Sequence, residues 1–233
     1  MSRSNDAAIR SESVPPLGGE SSLQSPIGTT RFLHFLLFLF ISFNSPAAEF
    51  KTIVLLGDSI GAGYGVDEEQ SFAAIIQRKL AAANLDYKVV NASVSGDTTA
   101  SGLRRINWVL KREADVLLIE LGGNDGLRGI KPDATKTNIE GIIDRARKKY
   151  PKIQIILAGM QMPGNMGKVY NDEYRAVFPS VAQNRNIDLI PFLLEGVGAD
   201  PEMNQPDLIH PNPKGHERVA DNVWAVLEKV VTK

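Results

Sequence analysis

Histidine is scarce in this chain. There are three, at His34, His210 and His216. His210 lies in the segment Asp207, Leu208, Ile209, His210, Pro211. The proline keeps His210 out of the helical region, and Asp207 is close enough in an irregular turn to meet one imidazole nitrogen. The other nitrogen is then available as a base. A serine hydroxyl is a weak nucleophile that needs such a base, and the base needs a third group to fix its tautomer. Ser59, in Gly57, Asp58, Ser59, Ile60, Gly61, completes the set of types. A tetrahedral intermediate also needs donors for its oxyanion. Candidates are the backbone N–H groups of Ser59 and Gly96 and the side-chain amide of Asn124. His34 falls in an N-terminal apolar run. His216 is in phase with Val219 and Val223 of a helix, where a packed or capping imidazole is expected.

These residues are far apart in the chain, so the fold must gather them. Residues 51–57 form an apolar run ending in glycine, as a buried parallel strand does. Further strands are predicted at 87–91, 115–121, 153–158 and 187–190. Helical spacing of apolar residues predicts helices over 71–84, 98–111, 135–150, 171–184 and 213–231, with Pro179 kinking or breaking the fourth. Alternating strands and helices imply an α/β protein, a parallel sheet with helices on both faces. Sites in such sheets lie at the carboxyl ends of the strands. Ser59, Gly96 and Asn124 follow the first, second and third predicted strands. Asp207 and His210 come after the fifth, beyond a long loop. Leu127, Met160, Met162 and Pro163 flank the same strand ends and are candidates to line an apolar lane for an acyl group. Asp58 and Asp125 are expected to pin loops by local hydrogen bonds.

Other readings of the first loop fit less well. It matches the G-x-S-x-G elbow, but that arrangement places several strands before its serine and its acid far from its histidine. A dinucleotide fingerprint would need glycine at position 66, which is valine, and the Gly-Lys-Ser/Thr ending of a phosphate-binding loop is absent.

Composition narrows the chemistry further. The 233 residues carry a formal net charge of −1, so there is no basic excess for a nucleic-acid partner. With no cysteine, disulfides, thiol nucleophiles and thiolate metal sites are excluded. Residues 1–30 are rich in Ser, Gly and Pro. Arg31 and the apolar run 32–43 follow, then Ser45, Pro46, Ala47 and Ala48. The run suits the core of a secretory signal and is short for a bilayer span. Residues 1–48 are therefore expected to be a leader with a signal peptide, and 49–233 a single exported domain, periplasmic or secreted, with no stable membrane span after cleavage.

Four segments in order resemble the blocks of the SGNH (GDSL-like) hydrolases: Gly57-Asp58-Ser59, Gly96, Gly122-Gly123-Asn124-Asp125 and Asp207-Leu208-Ile209-His210. Within that family the segments 90–98, 120–129 and 209–212 are similar to the bacterial acyl-CoA thioesterase I/lysophospholipase/arylesterase group. The resemblance implies a three-layer αβα, flavodoxin-like fold with five parallel strands. It implies Ser59 as nucleophile, His210 as base and Asp207 as its orienter, with Ser59, Gly96 and Asn124 as the oxyanion hole. It further implies no metal or cofactor, a small acyl ester or thioester as substrate, and a monomer. A carbohydrate O-acetylesterase remains open within the same family, as does an exported binding protein that keeps the fold without the chemistry.

Overall fold

The computed structural model describes residues 50–233; the expected leader, 1–48, lies outside them. Five strands form one sheet: β1 (Lys51–Gly57), β2 (Tyr87–Asn91), β3 (Val116–Glu120), β4 (Gln154–Ala158) and β5 (Asp188–Ile190). Their order is β2-β1-β3-β4-β5, and every pairing is parallel. The chain thus steps one way from β1 to β2 and then back across β1 to β3. Because crossovers are right-handed, this reversal puts helices on both faces. It also opens a crevice at the carboxyl ends of the strands beside β1.

The helices are α1 (Ser59–Ala62), α2 (Phe72–Ala82), α3 (Thr99–Val109), α4 (Gly123–Leu127), α5 (Pro132–Lys149), α6 (Lys168–Arg185) and α7 (Pro213–Val231). α3 packs on α5 and α5 on α6, while α2 packs on α7. β3 is buried along its whole length, Glu120 included. The core is a layer of Val, Ile and Leu from β1, β3 and β4, covered by helix stripes such as Ile139, Ile142, Ile143 and Ala146 of α5. Among the described residues, no helix is long and apolar enough to cross a membrane.

Differences from the sequence expectation have physical reasons. α5 begins at Pro132, three residues before the expected start, with the proline in the first turn where its missing N–H costs nothing. α6 continues through Pro179. Burial of Tyr174, Val177, Phe178, Val181 and Ala182 offsets the lost hydrogen bond. The short helices α1 and α4 were not expected; four or five residues are too few to show a period.

α4 is held by buried polar groups. The Asp125 carboxylate accepts the Thr99 N–H at 2.8 Å and the Thr99 hydroxyl at 2.5 Å, capping α3 from outside its own chain segment. It also accepts the Thr135 hydroxyl of α5 at 3.5 Å. The Tyr174 hydroxyl donates to the Gly122 carbonyl at 2.6 Å. Asp125 therefore fixes the start of α4, and with it Asn124, against two helices. Asp125→Ala leaves the Thr99 donors unpaired in the core and should lower unfolding free energy by about 2–3 kcal/mol in urea titration. A loss below about 0.5 kcal/mol would contradict the pinning role.

Candidate active site

Three loops meet at the carboxyl end of the sheet. Ser59 opens α1 immediately after β1. Its hydroxyl lies 2.9 Å from His210 Nε2, across 151 residues of chain. His210 Nδ1 lies 2.6 Å from Asp207 Oδ2. The other carboxylate oxygen, Oδ1, accepts the backbone N–H groups of Ile209 at 2.9 Å and His210 at 3.0 Å. Partial burial would raise the Asp207 pKa, but these backbone bonds, the imidazole and its charge outweigh it and hold the carboxyl at about 2. Asp207 is thus an acceptor only. The proton must then sit on Nδ1, and Nε2 is left to accept from the Ser59 hydroxyl.

Leu208 stands between the acid and the base in the left-handed region, at φ 58°. That conformation costs a residue with a Cβ of order 1 kcal/mol. Here it wraps the backbone around the Asp207 carboxylate, so that one side chain receives three donors within a four-residue turn. The same turn directs Leu208 and Ile209 toward an apolar cavity. Tyr64 covers the imidazole, with ring centroids 4.6 Å apart.

The remaining segments converge on the same point. Asn124 Nδ2 donates to Asp58 Oδ2 at 3.2 Å. Arg128 Nη2 donates to the Gly96 carbonyl at 3.1 Å and to Asn124 Oδ1 at 3.4 Å. The Asn124 amide is therefore oriented at both ends, and one of its two N–H bonds is left over. Gly96 has φ 83°, a conformation that favours glycine. The Asp58 side chain accepts the Ile60 N–H at 3.1 Å, capping α1. It is the loop-pinning role expected for it, extended to Asn124.

Two carboxyls are buried behind Ser59. Burial raises Asp58 to about 6, against the hydrogen bonds that favour its ionised form. Burial, and then the charge of Asp58, pushes Glu120 well above the usual range. Glu120 was not foreseen: in sequence it is one polar residue ending an apolar strand. Its signal was the exception itself, since a carboxyl inside a buried strand needs a partner.

The apolar cavity has a volume of about 220 Å³. Leu127, Met160, Met162 and Pro163 all line it. Met160 is nearly fully buried and forms part of the floor. Ile60, Phe192, Leu194 and Ala199 line it too and were missed. The apolar pair at 192 and 194, just past β5, was the available signal.

His216 is a packed histidine. It is buried, its Nδ1 accepts the Phe72 N–H at 3.2 Å at the start of α2, and its ring stacks on Phe72. Burial and then the charge of His210 depress its pKa from 6.5 to about 4. Between those values the unfolded chain takes up a proton that the folded chain refuses, so the stability due to this imidazole is complete above the unfolded value and is lost as pH falls.

A model of the GDSL-like lipase/acylhydrolase family matches residues 55–218. Esterase TesA of Pseudomonas aeruginosa is 42% identical over 182 residues, covering 78% of this chain and 90% of the relative. Thioesterase 1/protease 1/lysophospholipase L1 of Escherichia coli is 35% identical over 200 residues, covering 85% and 93%. A crystal structure of TesA superimposes with a TM-score of 0.74 at 41% identity, covering 77% of this chain and 99% of that one.

The His216 account makes a pH-resolved prediction. The stability advantage of the protein over His216→Gln should be largest above about pH 6.5 and shrink toward pH 4. A difference that stays constant over that interval, in denaturant titrations, would contradict it.

Proposed function

Because the chain belongs to the GDSL-like lipase/acylhydrolase family, we propose that it is a serine hydrolase cleaving acyl esters and thioesters through an acyl-Ser59 intermediate. Aryl esters, lysophospholipids and acyl thioesters are the substrate classes, in keeping with the names of the relatives above and with the name of a third, the Arylesterase of Vibrio mimicus. The observation that carries the reading is the hydrogen-bonded chain Asp207–His210–Ser59. It ends on the hydroxyl of the first residue of α1, whose Ile60 lines the apolar cavity.

In the first half-reaction, Ser59 Oγ attacks the acyl carbonyl while His210 Nε2 takes its proton. The carbonyl oxygen becomes an oxyanion, received by the N–H groups of Ser59 and Gly96 and by Asn124 Nδ2. Among the described residues, no acceptor takes either backbone N–H. The C–O or C–S bond then breaks, and His210 returns the proton to the leaving oxygen or sulfur. In the second half, water attacks the acyl-enzyme with His210 again as base, releasing the acid and restoring Ser59. Asp207, ionised throughout, stabilises the imidazolium that forms in each half. The reaction requires no cofactor or metal.

Leu127, Met160, Met162 and Pro163 form one wall of the acyl site, and methionine adapts to chains of different shape. A cavity lined this way favours hydrocarbon over sugar, which places the carbohydrate O-acetylesterase second. A binding protein would have no use for a proton relay aimed at a serine. Residues 1–48 act as a leader, so that the domain 49–233 works in the periplasm or outside the cell, as a monomer.

Hydrolysis of p-nitrophenyl esters from acetate to laurate tests this. Ser59→Ala should lower turnover at least about 10³-fold on all of them. Met162→Asp should cut kcat/KM on laurate about tenfold or more while leaving acetate nearly unchanged, because a carboxylate desolvated by an acyl chain is costly. Turnover that survives Ser59→Ala would reject the serine mechanism. Equal losses on both esters would remove Met162 from the acyl wall.

A further inference from the structure

Glu120 is the last residue of β3 and is paired in register with Gly57, the last of β1. It is fully buried, and the mechanism above gives it no step. One of its oxygens, Oε2, accepts the backbone N–H of Asp58 at 3.1 Å and that of Gly61 at 3.0 Å. These two amides bracket Ser59, one residue before it and two after. The carboxyl thus grips the nucleophile's turn from the sheet side at both ends.

The sequence around it makes room for this grip. A Cβ on Gly57 would lie 2.3 Å from Glu120 Oε2, and one on Gly61 would lie 2.7 Å from the same atom. Both are far inside contact distance, so the two glycines of Gly57-Asp58-Ser59-Ile60-Gly61 are what lets a carboxyl press against the turn. The turn's position is then passed on. Asp58, whose N–H Glu120 holds, uses its own carboxyl to cap Ile60 and to hold Asn124 Nδ2.

We propose that Glu120 is a positioning residue of this active site, its buried carboxyl setting the turn that aims Ser59 Oγ at His210. This rests on the serine-hydrolase reading above. The carboxyl acts as a neutral acceptor. Among the described residues no cation pairs with it; the Arg105 guanidinium of α3, which reaches the Gly57 carbonyl of the same turn, is spent on that carbonyl, on Asp97 and on the carbonyl of Ala92. Its second oxygen, Oε1, has no hydrogen-bond partner among the described residues. The other titratable group facing it, Asp58, is itself a buried carboxyl, and two such neighbours disfavour a charge on each other.

Position and charge can be separated with two variants. Glu120→Gln keeps an oxygen at the same reach and removes the ionisable group. Glu120→Asp keeps the acid and withdraws it by one methylene. With the full chain and p-nitrophenyl butyrate, Glu120→Gln should retain kcat within about threefold, KM, and the pH–rate profile, while Glu120→Asp should lose kcat about 100-fold at little-changed KM, the cost of a misplaced reacting group. Circular dichroism at the assay temperature confirms that both chains are folded. The assignment is overturned if Glu120→Asp keeps its kcat or loses through KM. It is equally overturned if Glu120→Gln loses as much as Glu120→Asp or fails to fold, since a neutral acceptor would then not suffice. Ser59→Ala run alongside keeps the two ideas apart. If that variant stays active, the serine reading fails; if it is inactive and Glu120→Asp is not, only the positioning role does.

Discussion

The 2.9 Å contact between Ser59 Oγ and His210 Nε2 joins two groups separated by 151 residues, and most of the molecule exists on that path. A hydrogen bond of this kind tolerates errors of a few tenths of an ångström. Its two ends must therefore be set independently and rigidly. The Ser59 end is set by a central strand, a cap and a buried carboxyl. The His210 end is set by a turn closed on Asp207 and anchored by α7, whose cap Asn212 accepts the Gly215 N–H at 3.0 Å and donates to the carbonyls of Glu202 and Asn204. α2 then packs on α7, and His216 of α7 binds the first N–H of α2. The helix after the Ser59 loop and the helix after the His210 loop are thereby fixed to each other.

The arrangement also concentrates electrostatic cost behind the reacting groups. Asp58, Glu120 and Asp125 are all buried near the strand ends. Burying carboxyls is unfavourable unless donors meet them, and here Asp58 and Glu120 are met by the backbone amides of Asp58, Ile60 and Gly61 around Ser59 and by the Asn124 side chain, while Asp125 is met by Thr99 and Thr135. The cost thus makes those loops adopt one conformation. A preorganised site needs little rearrangement when charge develops on the substrate oxygen. Asp207 differs: it is partly exposed, and its backbone donors and the imidazole hold it ionised.

Much of this was legible in the sequence, where the signals were categorical. The apolar strands of β1, β3 and β4 and the stripe of α7 are strong periodic patterns, and α7 spans the residues expected of it. His210 stood out because histidine is scarce, and Ser59 and Asp207 because they supply the hydroxyl and the acid such a base needs; the structure brings the three side chains into one chain of hydrogen bonds. That Leu127, Met160, Met162 and Pro163 lie together at one cavity followed from their position at the strand ends. What the sequence hid was of another kind. Glu120 shows in sequence only as a carboxyl in an apolar run, because the amides it holds, those of Asp58 and Gly61, lie 62 and 59 residues away. Leu208 in a left-handed turn has no signature, since leucine is not a residue type that marks that conformation. The start of α5 was set by Pro132 in its first turn, and the continuity of α6 through Pro179 by packing, which outweighs local propensity.

The central claim is that Ser59 is the nucleophile and that His210 activates it. Labelling with a fluorophosphonate, read by peptide mass spectrometry, tests this without reference to any substrate. The account predicts a single phosphonyl adduct on Ser59, formed rapidly in the protein and at least about 10³-fold more slowly in His210→Ala. An adduct on another residue, or labelling of Ser59 at the same rate without the imidazole, would contradict it.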